Sequence, residues 1–248
     1  MIILPMRTLF ILPTLVGFGC GHHTGTGDVD AEPPSIDAPS GVTLDCNNYC
    51  NTIQKNCTGL NAQFGGADTA DITAHCMGTC AKFTLQGTAA DTTGTTLGCH
   101  LYHADAPSMT MPQTHCVHAG PAGAQTDATS PQCGDACTNF CSLEIAACGS
   151  KDTPIAGVPA QYKNMTACLT ACNGDPAAIP PVPGFNKLHM YIIDGSAAPT
   201  VNPRGDSLAC RLYYATNAAT SMANAVAHCP QTADVAIPGT PCNGEPAP

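Results

Sequence analysis

Sixteen of the chain's 17 cysteines fall into two successive runs of eight. The first is Cys46, Cys50, Cys57, Cys76, Cys80, Cys99, Cys116 and Cys133; the second is Cys137, Cys141, Cys148, Cys168, Cys172, Cys210, Cys229 and Cys242. Intervening residues number 3, 6, 18, 3, 18, 16 and 16 in the first run, and 3, 6, 19, 3, 37, 18 and 12 in the second. Flanking residues agree: "DCNNYC" matches "ACTNFC", "CMGTC" matches "CLTAC", "LGCHLYHA" matches "LACRLYYA" and "THC" matches "AHC". "NAQF" and "PAQY" pair Phe64 with Tyr162, and Met109 and Met222 each lie seven residues before a cysteine. Self-similarity at this scale predicts two tandem units, over about 42–133 and 134–248. Even numbers of cysteines at matched spacing predict eight disulfides made in an oxidising compartment.

Covalent staples suit the composition. There is no tryptophan, only six Phe and six Tyr, and charged residues make up 10% of the chain. A core so poor in large apolar side chains gains from cross-links, each worth about 3 kcal/mol on a chain-entropy estimate. The expected fold is mostly α, as small disulfide-stapled helical repeats with long loops. In C-x3-C the two cysteines lie one helical turn apart, about 6 Å along the axis and on one face. Asp68 is a candidate N-cap for the second helix. Leu97, Cys99, Leu101 and Tyr102 form an apolar stripe on a third, repeated by Leu208, Cys210, Leu212 and Tyr213. A fourth helix reads clearly in "AATSMANAVAHC", whereas Pro112 weakens its counterpart in the first unit.

Two resemblances extend this reading. Twin C-x3-C segments resemble other helical hairpins joined by two disulfide rungs, which implies Cys46–Cys80 with Cys50–Cys76, and Cys137–Cys172 with Cys141–Cys168. Eight cysteines allow 105 pairings, so the partners of the others stay open. The motifs "LGCHLYHADAP" and "HCVHAGPAG" resemble those of secreted cysteine-rich tandem-repeat lipoproteins of bacterial envelopes. The second unit keeps them in drifted form, as "LACRLYYATNA" and "HCPQTAD". That resemblance implies export and a disulfide-bonded repeat but lends no activity.

The N-terminus is read in the same terms. "MRTLFILPTLVGFGC" has a basic start, a short apolar run and a terminal Cys20. It resembles a lipoprotein signal, with residues 1–19 removed and Cys20 lipidated. Residues 20–41, small, polar and proline-bearing, then read as a flexible tether. The expected location is the outer membrane or cell surface through a lipid anchor, and otherwise the periplasm or exterior. Membrane contact through that anchor and an unknown protein or surface ligand are the expected partners. Nucleic acid is not among them, since the net charge is −10 and the eight Lys and Arg are scattered.

Chemistry is sparser. Neither C-x-x-C-H nor G-x-S-x-G occurs, and Asp68 with Asp71 reads as a helix start rather than an acid–base pair. No catalytic constellation emerges. The exception is a 19-residue span carrying His100, His103, Met109, Met111, His115 and His118, donors suited to copper or zinc. Aligned on the cysteines, His100 becomes Arg211, His103 becomes Tyr214 and His118 becomes Gln231, while His115 persists as His228. A metal needed for folding would recur in both units, so the primary expectation is a binding or structural module with no cofactor. The alternative is a copper or zinc site peculiar to unit one. The stretch between Cys172 and Cys210 (insertion about 174–207) reads as a recognition loop or as a tolerated insertion packing down. Within it, "RGD" at 204–206 precedes a helix for which Asp206 or Ser207 would serve as N-cap.

Overall fold

A computed structural model describes residues 42–83, 85–123, 132–178, 182–185, 207–233 and 241–242. Cys20, its signal and tether, the "RGD" and most of the insertion between Cys172 and Cys210 lie outside the described residues. The helices are α1 (Cys46–Asn56), α2 (Thr69–Cys80), α3 (Leu97–Ala104), α4 (Ala106–Thr110) and α5 (Pro112–Ala119) in the first half. The second half holds α6 (Ala136–Cys148), α7 (Met165–Asn173), α8 (Leu208–Ala218) and α9 (Met222–His228). A two-residue antiparallel pairing, Gly174–Asp175 with Val182–Pro183, accompanies them.

Local sequence explains most starts. Asp45, Asp68, Thr96, Asp135, Asn164, Ser207 and Ser221 each accept the backbone N–H three residues on, capping α1, α2, α3, α6, α7, α8 and α9. Each such cap contributes about 1 kcal/mol. Pro112 behaves differently from the expectation. It opens α5 at the first helical position, where its missing N–H has no intrahelical partner to lose. The break falls at Met111, between α4 and α5.

Disulfides then tie these helices together. Cys46–Cys80 with Cys50–Cys76 join α1 to α2, and Cys137–Cys172 with Cys141–Cys168 join α6 to α7. The remaining pairs are Cys57–Cys116 and Cys99–Cys133 in the first half, Cys148–Cys229 and Cys210–Cys242 in the second. Counted along each run, both halves join first to fifth, second to fourth, third to seventh and sixth to eighth.

Two apolar cores result. One gathers Tyr49, Ile53, Phe64, Leu97 and Leu101; the other gathers Phe140, Leu143, Tyr162, Phe185, Leu208 and Leu212. Phe185 comes from the insertion, so this part of it packs down: its ring lies 3.8 Å from the buried Arg211 guanidinium. The described residues of the two halves nonetheless form one compact unit. Ala122 belongs to the second core, His75 on α2 meets Tyr213 on α8 edge-on, and Gly78 lies against the Ala219 carbonyl. A Cβ at Gly78 would come 2.8 Å from that oxygen, so glycine permits the close approach of α2 and α8.

Candidate metal centre

Helices α3 and α5 pack side by side, and each carries two histidines three residues apart. Three residues rotate a helix by about 300°, leaving the two side chains roughly 60° apart. That offset separates His100 from His103. His100 turns into the core, stacked on Phe83 at 4.6 Å and 5°, and its Nδ1–H donates to the Ala119 carbonyl at 3.2 Å. Burial pushes its pKa down to about 4. His100, expected among the ligands, is therefore a core residue. Met109 and Met111, also expected there, are 62% and 54% exposed and lie at the surface around α4.

His103, His115 and His118 do converge. One ring nitrogen from each lies within 4.8 Å of the others. His103 and His115 are stacked at 5.0 Å, and His118 sits edge-on to both. His103 Nε2 is 3.0 Å from the Thr92 carbonyl, which can only accept, so this nitrogen carries the proton. Its Nδ1 then holds a lone pair, and His115 Nδ1–H donates to it at 2.8 Å. His118 Nδ1 is buried without a hydrogen-bond partner among the described residues.

This arrangement suits a borderline metal ion. Imidazoles bind metals only when neutral. Burial, joined by the neighbouring His103 and His115, holds the His118 pKa at about 4. Burial also lowers that of His103, against the raising effect of the Thr92 carbonyl. Nitrogens bound to one tetrahedral ion at about 2.0–2.1 Å stand roughly 3.3 Å apart, slightly wider than the present His103–His115 contact. Small ring movements, with His115 shifting its proton to Nε2, would make that room. Thr92 would hold His103 in the correct tautomer, the usual part played by a backbone carbonyl behind a metal-bound histidine.

Neither the Thr92 carbonyl nor a second feature could be read from spacing. The sulfurs of Cys99 and Cys133 also lie within 4.8 Å of a His103 nitrogen. In the second half the corresponding positions hold Tyr214, His228 and Gln231, with the Tyr214 and His228 rings 5.6 Å apart. Glu144 was missed altogether. It is fully buried between Thr232, whose hydroxyl donates to it at 2.8 Å, and the Cys148 sulfur at 3.3 Å. A disulfide sulfur has no proton to give, so the carboxylic acid donates, and burial raises the Glu144 pKa to about 8.

No protein-family model matches this chain, and no curated protein or solved structure matches it significantly. Among the described residues no helix is long and apolar enough to cross a membrane. The eight disulfides suit an oxidising, extracellular-type environment.

Proposed function

We propose that this chain is an exported envelope lipoprotein, anchored through Cys20 and built from two copies of one stapled unit, whose first copy binds copper or zinc. The observation that carries the metal reading is the convergence of His103, His115 and His118, with the buried His118 Nδ1 left without a partner among the described residues. The identical disulfide order in both halves supports duplication of a scaffold that needs no metal. The ion is thus cargo or a means of holding a ligand. Three protein donors leave a coordination position for such a ligand, whereas purely structural zinc sites are generally closed by four.

Titration of the oxidised protein with Zn2+ and Cu2+ tests this. We expect one ion per chain and at least a tenfold loss of affinity in His103→Ala or His118→Ala. Met109→Leu with Met111→Leu should leave affinity unchanged. Absence of stoichiometric binding would defeat the metal reading. The double change Tyr214→His with Gln231→His, beside the native His228, should add a second ion. For the anchor, Cys20→Ser should release the protein from the membrane fraction.

A further inference from the structure

His103 belongs to two donor sets. One is completed by His115 and His118, the other by the sulfurs of Cys99 and Cys133, within the same 4.8 Å limit. In the oxidised protein those sulfurs are joined to each other and are poor ligands. We propose that reduction of the Cys99–Cys133 disulfide unmasks a second metal site, formed by the two thiolates and His103, for a thiophilic ion such as Zn2+ or Cu+. The proposal rests on His103 being available to a metal, as in the reading above, but needs neither His115 nor His118.

Three observations favour this disulfide over the other seven. Cys133 alone among the described non-glycine residues has a left-handed backbone, with φ +53°. That conformation is disfavoured for an L-residue, whose Cβ crowds the following carbonyl oxygen, and the disulfide helps to hold Cys133 in it. The corresponding Cys210–Cys242 bond has Tyr214 where the first half has His103, and Cys242 has no such φ. Finally, α3 carries both a sulfur of this bond and the imidazole: its capped start fixes Cys99 four residues, or about one turn, before His103. Reduction, metal and ligand therefore meet on one short rigid element.

The chemistry balances with one external dithiol. It transfers two electrons and two protons to the Cys99–Cys133 bond and becomes a disulfide itself. The two new thiols then release those protons as their sulfurs bind the metal. Thiolate donors shift preference toward softer ions, so the reduced site selects zinc or cuprous copper over harder cations.

The test uses the full chain, treated anaerobically with limited dithiol that is removed before metal is added. Opened cysteines are mapped by alkylation and mass spectrometry. Co2+ serves as the spectroscopic probe, because only thiolate ligation produces a sulfur-to-cobalt charge-transfer band. We expect that band in the reduced wild type and in reduced His115→Ala/His118→Ala. It should be absent from oxidised protein and from Cys99→Ser/Cys133→Ser. Zn2+ should slow alkylation of Cys99 and Cys133 at least tenfold while leaving other opened thiols unprotected. Mapped Cys99 and Cys133 thiols with no band or no protection would overturn the proposal. So would reduction that unfolds α3 before this pair opens. If His115→Ala/His118→Ala loses binding only when oxidised, the imidazole site and the thiolate site both stand; if it binds in neither state while the oxidised wild type binds, the thiolate site falls and the imidazole site stands.

Discussion

The two halves share one disulfide order and differ in what they put inside it. In the first, the buried His100 ring stacks on Phe83; in the second, the Arg211 guanidinium covers Phe185. Tyr49 and Phe64 meet edge-on at 6.4 Å, and Phe140 and Tyr162 do the same at 6.3 Å with the hydroxyl on the other ring. Each hydroxyl still reaches the third residue after the seventh cysteine: Tyr49 donates to the Ala119 carbonyl, Tyr162 to that of Thr232. Ile53 occupies the position that Glu144 holds in the second half. A covalent frame tolerates these exchanges where the exchanged side chain, such as His100 or Glu144, finds a partner of its own. It leaves the α3–α5 junction free to specialise, and among the described residues only there have three histidines gathered.

The largest effect that would test the equivalence is removal of one long-range staple from each half. Cys57→Ala/Cys116→Ala and Cys148→Ala/Cys229→Ala should each cost about 4 kcal/mol by loop entropy, read from urea midpoints. A loss confined to one half would break the symmetry. Next come opposite pH responses. Glu144 has a folded pKa near 8, against an ordinary carboxyl value, so its contribution to stability falls as pH rises from about 4.5 to 8. At most this amounts to roughly 1.4 kcal/mol per pH unit, and Glu144→Gln should flatten the slope. His100 and His118, held near 4, instead lose stability as pH falls from about 6.5 to 4. Amide exchange resolved by half should therefore show the second half loosening toward alkali and the first toward acid.

Smaller changes probe how the halves join and how each is wired. Gly78→Ala should force α2 from α8 and cost about 1–3 kcal/mol, visible as weaker coupling between the halves in denaturation. Tyr162→Phe strips the Thr232 carbonyl of its tyrosine donor and should cost about 2 kcal/mol. Tyr49→Phe should cost nearer 1 kcal/mol, because the Ala119 carbonyl still receives His100. Equal losses would mean that the second bond to Ala119 carries no weight.

Much of the frame was legible in the sequence because its causes are local. C-x3-C places two cysteines on one helical face whatever surrounds it, and Asp68 or Ser207 caps the turn that follows. The histidine cluster was legible only in outline. Spacing brought His100 and His103 forward together, yet rotation about α3 sends one to Phe83 and the other to α5. Met109 and Met111 had suitable chemistry but sit on the short α4 and at its end, facing solvent. Glu144 gave no signal, since a lone glutamate in a helical stretch reads as surface until its neighbours are known.

By itself, then, the sequence determined a mostly helical chain with repeated staples, and it narrowed the metal question to one span. Those properties follow from residue type and from separations within a turn or two. Tertiary structure decided which residues meet across elements: the third-to-seventh and sixth-to-eighth bonds, the triad of His103, His115 and His118, and the sulfurs beside it. Such meetings depend on how packed helices are rotated and offset against one another. A shift of a few ångströms there makes or unmakes a ligand set, and spacing along the chain carries no record of it.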